Sequence, residues 1–66
     1  MVLDTAKIRR LREERGLTQA AAAKAAKLSG PQTWSDIEHG RRRNLTLDTL
    51  ERIAAALGVP AKDLLK

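Results

Sequence analysis

A chain of 66 residues buries only about 60% of its unfolded surface, so one domain with a thin core is expected and a deep catalytic cleft is not. It has no cysteine and one histidine, so neither disulfides nor a zinc cluster can staple that core, and helix packing must hold it. The formal net charge of +5 favours a polyanionic partner through counterion release, although ribosomal proteins, amphipathic membrane binders and basic protein-interaction modules share such a balance. Apolar residues are scattered among charges, no stretch reaches the length of a membrane span, and the N-terminus lacks an apolar signal core. That pattern reads as a soluble, cytoplasmic protein.

Met1 to Leu3 read as a loose lead-in, after which Asp4 or Thr5 can cap a helix with Ile8 and Leu11 on one face. Gly16 stops it. Leu17-Thr18-Gln19 then offers an apolar residue, a hydroxyl cap and a helical start for the alanine-rich stretch Gln19 to Ala26. Alanine favours helix without asking for much packing, in natural and engineered sequences alike. Ser29-Gly30-Pro31-Gln32 has capping-box spacing with proline in the first turn. Trp34 and Ile37 share a face of the helix that follows, Gln32 to His39, and Gly40 closes it. Arg41, Arg42, Arg43 and Asn44 make a basic loop. Thr46 can cap a fourth helix whose stripe is Leu47, Leu50, Ile53, Ala54 and Leu57, with Gly58 as its stop. Val59-Pro60 opens a last short turn of helix carrying Leu64 and Leu65, and no segment alternates as a strand would.

Two short helices joined by a tight turn, with a longer helix on each side, make the pattern of a helix-turn-helix spanning about residues 18–40. Leu17-Thr18-Gln19 with Ala23, the segment Trp34 to Gly40, and Thr49-Leu50-Glu51-Arg52-Ile53-Ala54-Ala55-Ala56-Leu57-Gly58-Val59 resemble the phage-repressor and Cro-like (XRE-type) family. The resemblance runs from Ile8 to Leu65. It implies one five-helix, all-α, lambda-repressor-like domain over residues 1–66 that binds double-stranded DNA in the major groove as a transcriptional regulator. Natural relatives of this kind commonly act as homodimers on palindromic sites, and a monomer on one half-site is the alternative. Two departures stand out. Lys27 occupies a turn position where the family has glycine, with one extra residue near Ser29 to Pro31, and another extra residue lies within Arg41 to Leu45, where Leu45 replaces a common proline.

Side chains step about 100° around a helix, so with Trp34 and Ile37 inward, Gln32 and His39 face outward, flanked by Ser35 and Asp36, with Pro31 and Thr33 at the leading end. Pro31, Gln32, Thr33, Ser35 and Asp36 are therefore the candidate base contacts. Gln32 suits a bidentate match to adenine or serves as a cap, and Asp36 accepts from cytosine N4 or pairs within its helix. Gln19 stands at a helix start that favours phosphate, and its amide can also brace Gln32. It joins Lys27, His39, Arg41, Arg42, Arg43 and Asn44 as candidate phosphate contacts, with Lys24 a weaker one. The resemblance pairs Glu38 with Arg12 as a structural link. Trp34 reads as core rather than as a stacking platform.

One imidazole without a nucleophile arrangement builds no active site, so no enzyme, cofactor or metal is expected. Membrane binding is disfavoured because the basic first helix lacks a bulky apolar face. Because fold does not fix function, a protein-interaction module of the antitoxin or adaptor kind, using Val59, Leu64 and Leu65, is the competing reading; each of these can equally finish the core. A DNA-binding role further implies residence with the nucleoid.

Overall fold

Each helix begins where a small side chain or a proline relieves the unpaired N–H groups of a first turn. Asp4 Oδ1 accepts from Lys7 N at 3.2 Å, Thr18 Oγ1 from Ala21 N at 3.0 Å, and Thr46 Oγ1 from Thr49 N at 3.1 Å. The computed structural model describes residues 2–42 and 44–66. Among them lie α1 (Thr5–Glu14), α2 (Gln19–Ala25), α3 (Pro31–Glu38), α4 (Leu47–Leu57) and a single 3-10 turn, Ala61–Leu64. The class is all-α as expected, with the fifth element shortened to that one turn.

The expected capping box at Ser29 is not formed. Because Pro31 is the first helical residue, the cap position falls on Gly30, which has no side chain to offer. Ser29 Oγ instead meets Thr33 Oγ1 at 2.8 Å. The lead-in is also better anchored than its composition implies. Leu3 and Leu65 form an isolated antiparallel bridge, Asp4 N donates to Leu64 O at 2.7 Å, and Lys66 N donates to Val2 O at 2.8 Å. The two chain ends therefore close over the bottom of the core.

That core consists of Ile8 from α1, Ala22, Ala23 and Ala26 around α2, Trp34 and Ile37 from α3, Leu50, Ile53, Ala54 and Leu57 from α4, and Leu64. Trp34, Ile8, Ile37, Ile53, Leu57 and Leu64 are fully buried, each contributing about 1.5–3 kcal/mol through removal from water. The buried alanines of α2 have no bulk, so α3 and α4 both pack directly on its backbone. Leu64 is spent entirely inside this core, and Val59 and Leu65 pack against it half-buried. These residues add to the core that the four helices build.

All four helices close in one way. A residue in left-handed conformation stands at the C-cap of α4 and just after it in the other three, and the next N–H reaches back into the last turn: Leu17 N to Arg12 O, Leu28 N to Ala23 O, Arg41 N to Asp36 O and Val59 N to Ala54 O. Three of these positions are Gly16, Gly40 and Gly58, and the fourth is Lys27, at φ +58°. A Cβ at Gly58 would lie 2.5 Å from Arg15 Nη1, the movable end of an exposed side chain, so the left-handed backbone is what calls for glycine there.

Lys27 is a site of local strain, since an L side chain in this region costs roughly 1–2 kcal/mol, partly offset in glycine by its greater unfolded freedom. Lys27→Gly is expected to stabilise the fold by about 0.5–1 kcal/mol, raising the unfolding midpoint by roughly 2–8 °C. Lys27→Ala keeps the strain and removes the charge. A thermal melt in which alanine stabilised as much as glycine would trace the effect to charge and not to the backbone.

Candidate nucleic-acid interface

The face that α3 presents is set by one carboxylate. Glu38 stands in the last turn of α3 with a side chain only 3% exposed. Its Oε1 receives Arg12 Nε of α1 at 2.5 Å and Trp34 Nε1 at 2.9 Å; its Oε2 receives Gln19 Nε2 of α2 at 2.9 Å and Arg12 Nη2 at 3.5 Å. Arg12 Nη1 also donates to Leu17 O at 2.8 Å, holding the link between α1 and α2. Burial alone raises the Glu38 pKa, but the hydrogen bonds from Arg12, Trp34 and Gln19 and the Arg12 charge outweigh it and leave the pKa below the ordinary 4.5.

This cluster corrects one expectation. Gln19 does not brace Gln32; its amide nitrogen donates to Glu38 in the last turn of α3. Gln32 turns along its own helix, donating through Nε2 to Asp36 Oδ1 at 2.9 Å. Arg41 Nη1 approaches the same oxygen at 3.5 Å, and the backbone N–H groups of Arg41 and Arg42 donate to Asp36 O at 2.8 and 3.3 Å. His39 Nδ1 lies 2.7 Å from Ser35 O. A carbonyl only accepts, so the ring proton sits on Nδ1 and Nε2 is left outward.

With Trp34 and Ile37 buried, the opposite face of α3 carries exposed Pro31, Gln32 and His39 and half-exposed Thr33, Ser35 and Asp36. Exposed Arg41, Arg42 and Asn44 continue from its C-terminal end, and exposed Lys24 and Lys27 flank its start; Arg43 lies outside the described residues. Gln19 and His39 meet at a shallow depression of about 130 Å³ that Arg9, Arg12 and Glu38 also line.

Sequence reasoning overlooked two supports. Trp34 was assigned to the core alone, yet its indole N–H reaches Glu38 four residues on, a spacing that places two side chains on one helix face. Arg52 of α4 donates through Nη1 to Lys27 O at 2.9 Å and through Nη2 to Thr49 Oγ1 at 3.2 Å. Its Nε lies 3.2 Å from Asp48 Oδ2 but makes no hydrogen bond of good angle there. The bond to Lys27 O, between residues 25 apart, ties the turn between α2 and α3 to the helix beneath it, and no local pattern announces it.

A family model described as a helix-turn-helix domain matches residues 5–65. The chain belongs to this helix-turn-helix family. Over 60 residues it is 43% identical to the HTH-type transcriptional regulator DdrOP3 of Deinococcus deserti, a match spanning 91% of this chain and 45% of that protein. The chain thus spans less than half the length of that curated relative. Among solved structures it resembles SinR, the master regulator for biofilm formation, in complex with DNA, with TM-score 0.86 and 26% identity over 97% of this chain and 100% of that one. It also resembles the clp gene regulator ClgR from C. glutamicum, with TM-score 0.78 and 28% identity over 91% and 75% of the two chains. In helix-turn-helix terms, α2 and α3 are the paired helices and α3 is the second of the two.

The depressed pKa of Glu38 fixes the sign of an acid effect. A carboxylate stabilised in the folded state contributes above its unfolded value near 4.5 and loses that contribution as pH falls through the lower folded value. Urea unfolding should show stability dropping as pH falls below about 4.5. Glu38→Gln should cost roughly 2–4 kcal/mol at pH 7, because Arg12 loses its counter-charge but keeps Leu17 O, and should flatten the acid slope. Identical slopes for the two proteins would assign the acid sensitivity to other carboxylates.

Proposed function

We propose that this domain binds double-stranded DNA sequence-specifically, as the DNA-reading part of a transcriptional regulator, by laying α3 in the major groove. The observation that carries the reading is the α2-turn-α3 pair, which buries Trp34 and Ile37 while leaving a continuous polar face that runs into a basic loop. An α-helix fits the major groove, and residues on its outward face reach the base edges. The DNA-bound SinR structure, alike in fold over almost the whole chain, supports the same assignment.

On this reading Pro31, Gln32, Thr33, Ser35 and Asp36 meet bases. Gln19, Lys27, His39, Arg41, Arg42, Arg43 and Asn44 meet phosphates and supply affinity without sequence information. One chain covers one half-site, and two copies cover a palindrome with half-sites about one helical turn apart. A cytoplasmic, nucleoid-associated location accords with such a role, and no helix of the described residues is long and apolar enough to cross a membrane.

Selection from a pool of random duplex oligonucleotides at near-physiological salt tests the proposal directly. A compact enriched motif is expected, single for a monomer and mirrored for a dimer; recovery without any motif would reduce the binding to nonspecific attraction. Gln32→Ala should relax preference at one position. Arg42→Ala should weaken all sequences alike and lower the slope of log affinity against log salt by about one.

A further inference from the structure

The segments that enter and leave α3 meet at one side chain of α4. The chain enters α3 through the turn at Lys27 and leaves it through the basic loop, which ends at Thr46, the cap of α4. Arg52 joins the two: Nη1 donates to Lys27 O at 2.9 Å and Nη2 to Thr49 Oγ1 at 3.2 Å. Thr49 Oγ1 in turn receives the Thr46 hydroxyl at 2.9 Å, and Thr46 Oγ1 receives Thr49 N at 3.1 Å. A continuous run of hydrogen bonds therefore leads from the end of the loop, through the start of α4, to the carbonyl of the turn. Lys27 is the left-handed residue of that turn, and its carbonyl turns with its backbone angles, so a bond to that oxygen restrains the path by which the chain enters α3.

We propose that Arg52 is a positioning residue for DNA reading: without touching base or phosphate, it sets the spacing between the two phosphate-gripping segments on either side of α3. This rests on the DNA-reading function above. Phosphate contacts carry no sequence information but place a protein on the duplex. Two such grips at a fixed separation admit one register of α3 against the bases, and at a loose separation they admit several. The fork of the guanidinium is what spans the two acceptors; a lysine ammonium carries the same charge as a point on a flexible stem and does not reproduce the span. Asp48, whose side chain is 82% exposed, lies 3.2 Å from Nε as a solvent-screened ion pair and takes no part in the span.

The test uses the whole 66-residue chain and compares its affinity for a duplex carrying the motif enriched from the random pool with that for a scrambled duplex, below the melting temperature of each variant. Arg52→Lys, which keeps the charge, should lower the ratio of the two affinities about tenfold, the scale of one charge-assisted hydrogen bond, and change binding of the scrambled duplex less than about twofold. Thr49→Val, close in shape, removes the other end of the span and should lower the ratio in the same direction, and it decides the matter alone if Arg52→Lys does not fold. Asp48→Asn leaves the span intact and should leave the ratio unchanged. Arg52→Ala should keep the slope of log affinity against log salt. A ratio that Arg52→Lys and Thr49→Val retain, equal losses on both duplexes, a ratio that Asp48→Asn lowers as far as Arg52→Lys does, or a slope lowered by about one in Arg52→Ala, the mark of a direct phosphate contact, would overturn the inference and leave sequence-specific DNA binding standing. A pool with no enriched motif would overturn both.

Discussion

The orientation of α3 depends on the Glu38 carboxylate. Apolar contacts between helices are non-directional: Trp34 and Ile37 fix which side of α3 is inward but restrain its rotation and tilt only loosely. Arg12 of α1, Gln19 of α2 and the Trp34 indole of α3 itself all converge on one pair of oxygens, so three helices share a single set of directional bonds. A carboxylate whose side chain is 3% exposed would be costly without them. With its acceptors matched to donors, the bonds outweigh the burial that opposes its charge.

Closeness is the other half of the geometry. Ala22, Ala23 and Ala26 let α2 lie against both α3 and α4, and that proximity brings Gln19 within reach of Glu38 and Lys27 O within reach of Arg52. The turn between the paired helices is thus held from below by a guanidinium and kept tight by a left-handed residue that happens to be lysine. In the longer turn Leu28 packs on the core, Ser29 bonds Thr33, and Gly30 and Pro31 start the helix without a side-chain cap.

Much of this was legible from local chemistry. Thr18, Thr46 and the three left-handed glycines announce helix ends because capping and chain reversal are decided within a few residues, and the Trp34-Ile37 and Leu50-Ile53-Leu57 spacings announce the core because burial follows the helical period. The Arg12-Glu38 contact came from family resemblance and not from spacing. What could not be read was which donor meets which acceptor across the fold. Gln19 reaching Glu38 and Arg52 reaching Lys27 O are contacts 19 and 25 residues apart, settled by the close approach of helices that no one segment encodes. The Ser29 misreading has a different origin, since a capping box and a proline at the first helical residue compete for the same two positions and the proline wins.

The distribution of charge separates two tasks within one short surface. The net +5 supplies long-range attraction, and its densest part, the loop after α3, begins where the Asp36 carbonyl receives two successive N–H groups. The outward face of α3 carries one acidic charge, Asp36, and it is placed against Arg41. A ridge of uniformly basic residues would hold any duplex almost equally well, because phosphates are present in every sequence. Because Asp36 accepts from Gln32 through its side chain and from Arg41 and Arg42 through its carbonyl, the start of the loop cannot move relative to α3 without disturbing the residue that Gln32 is bonded to.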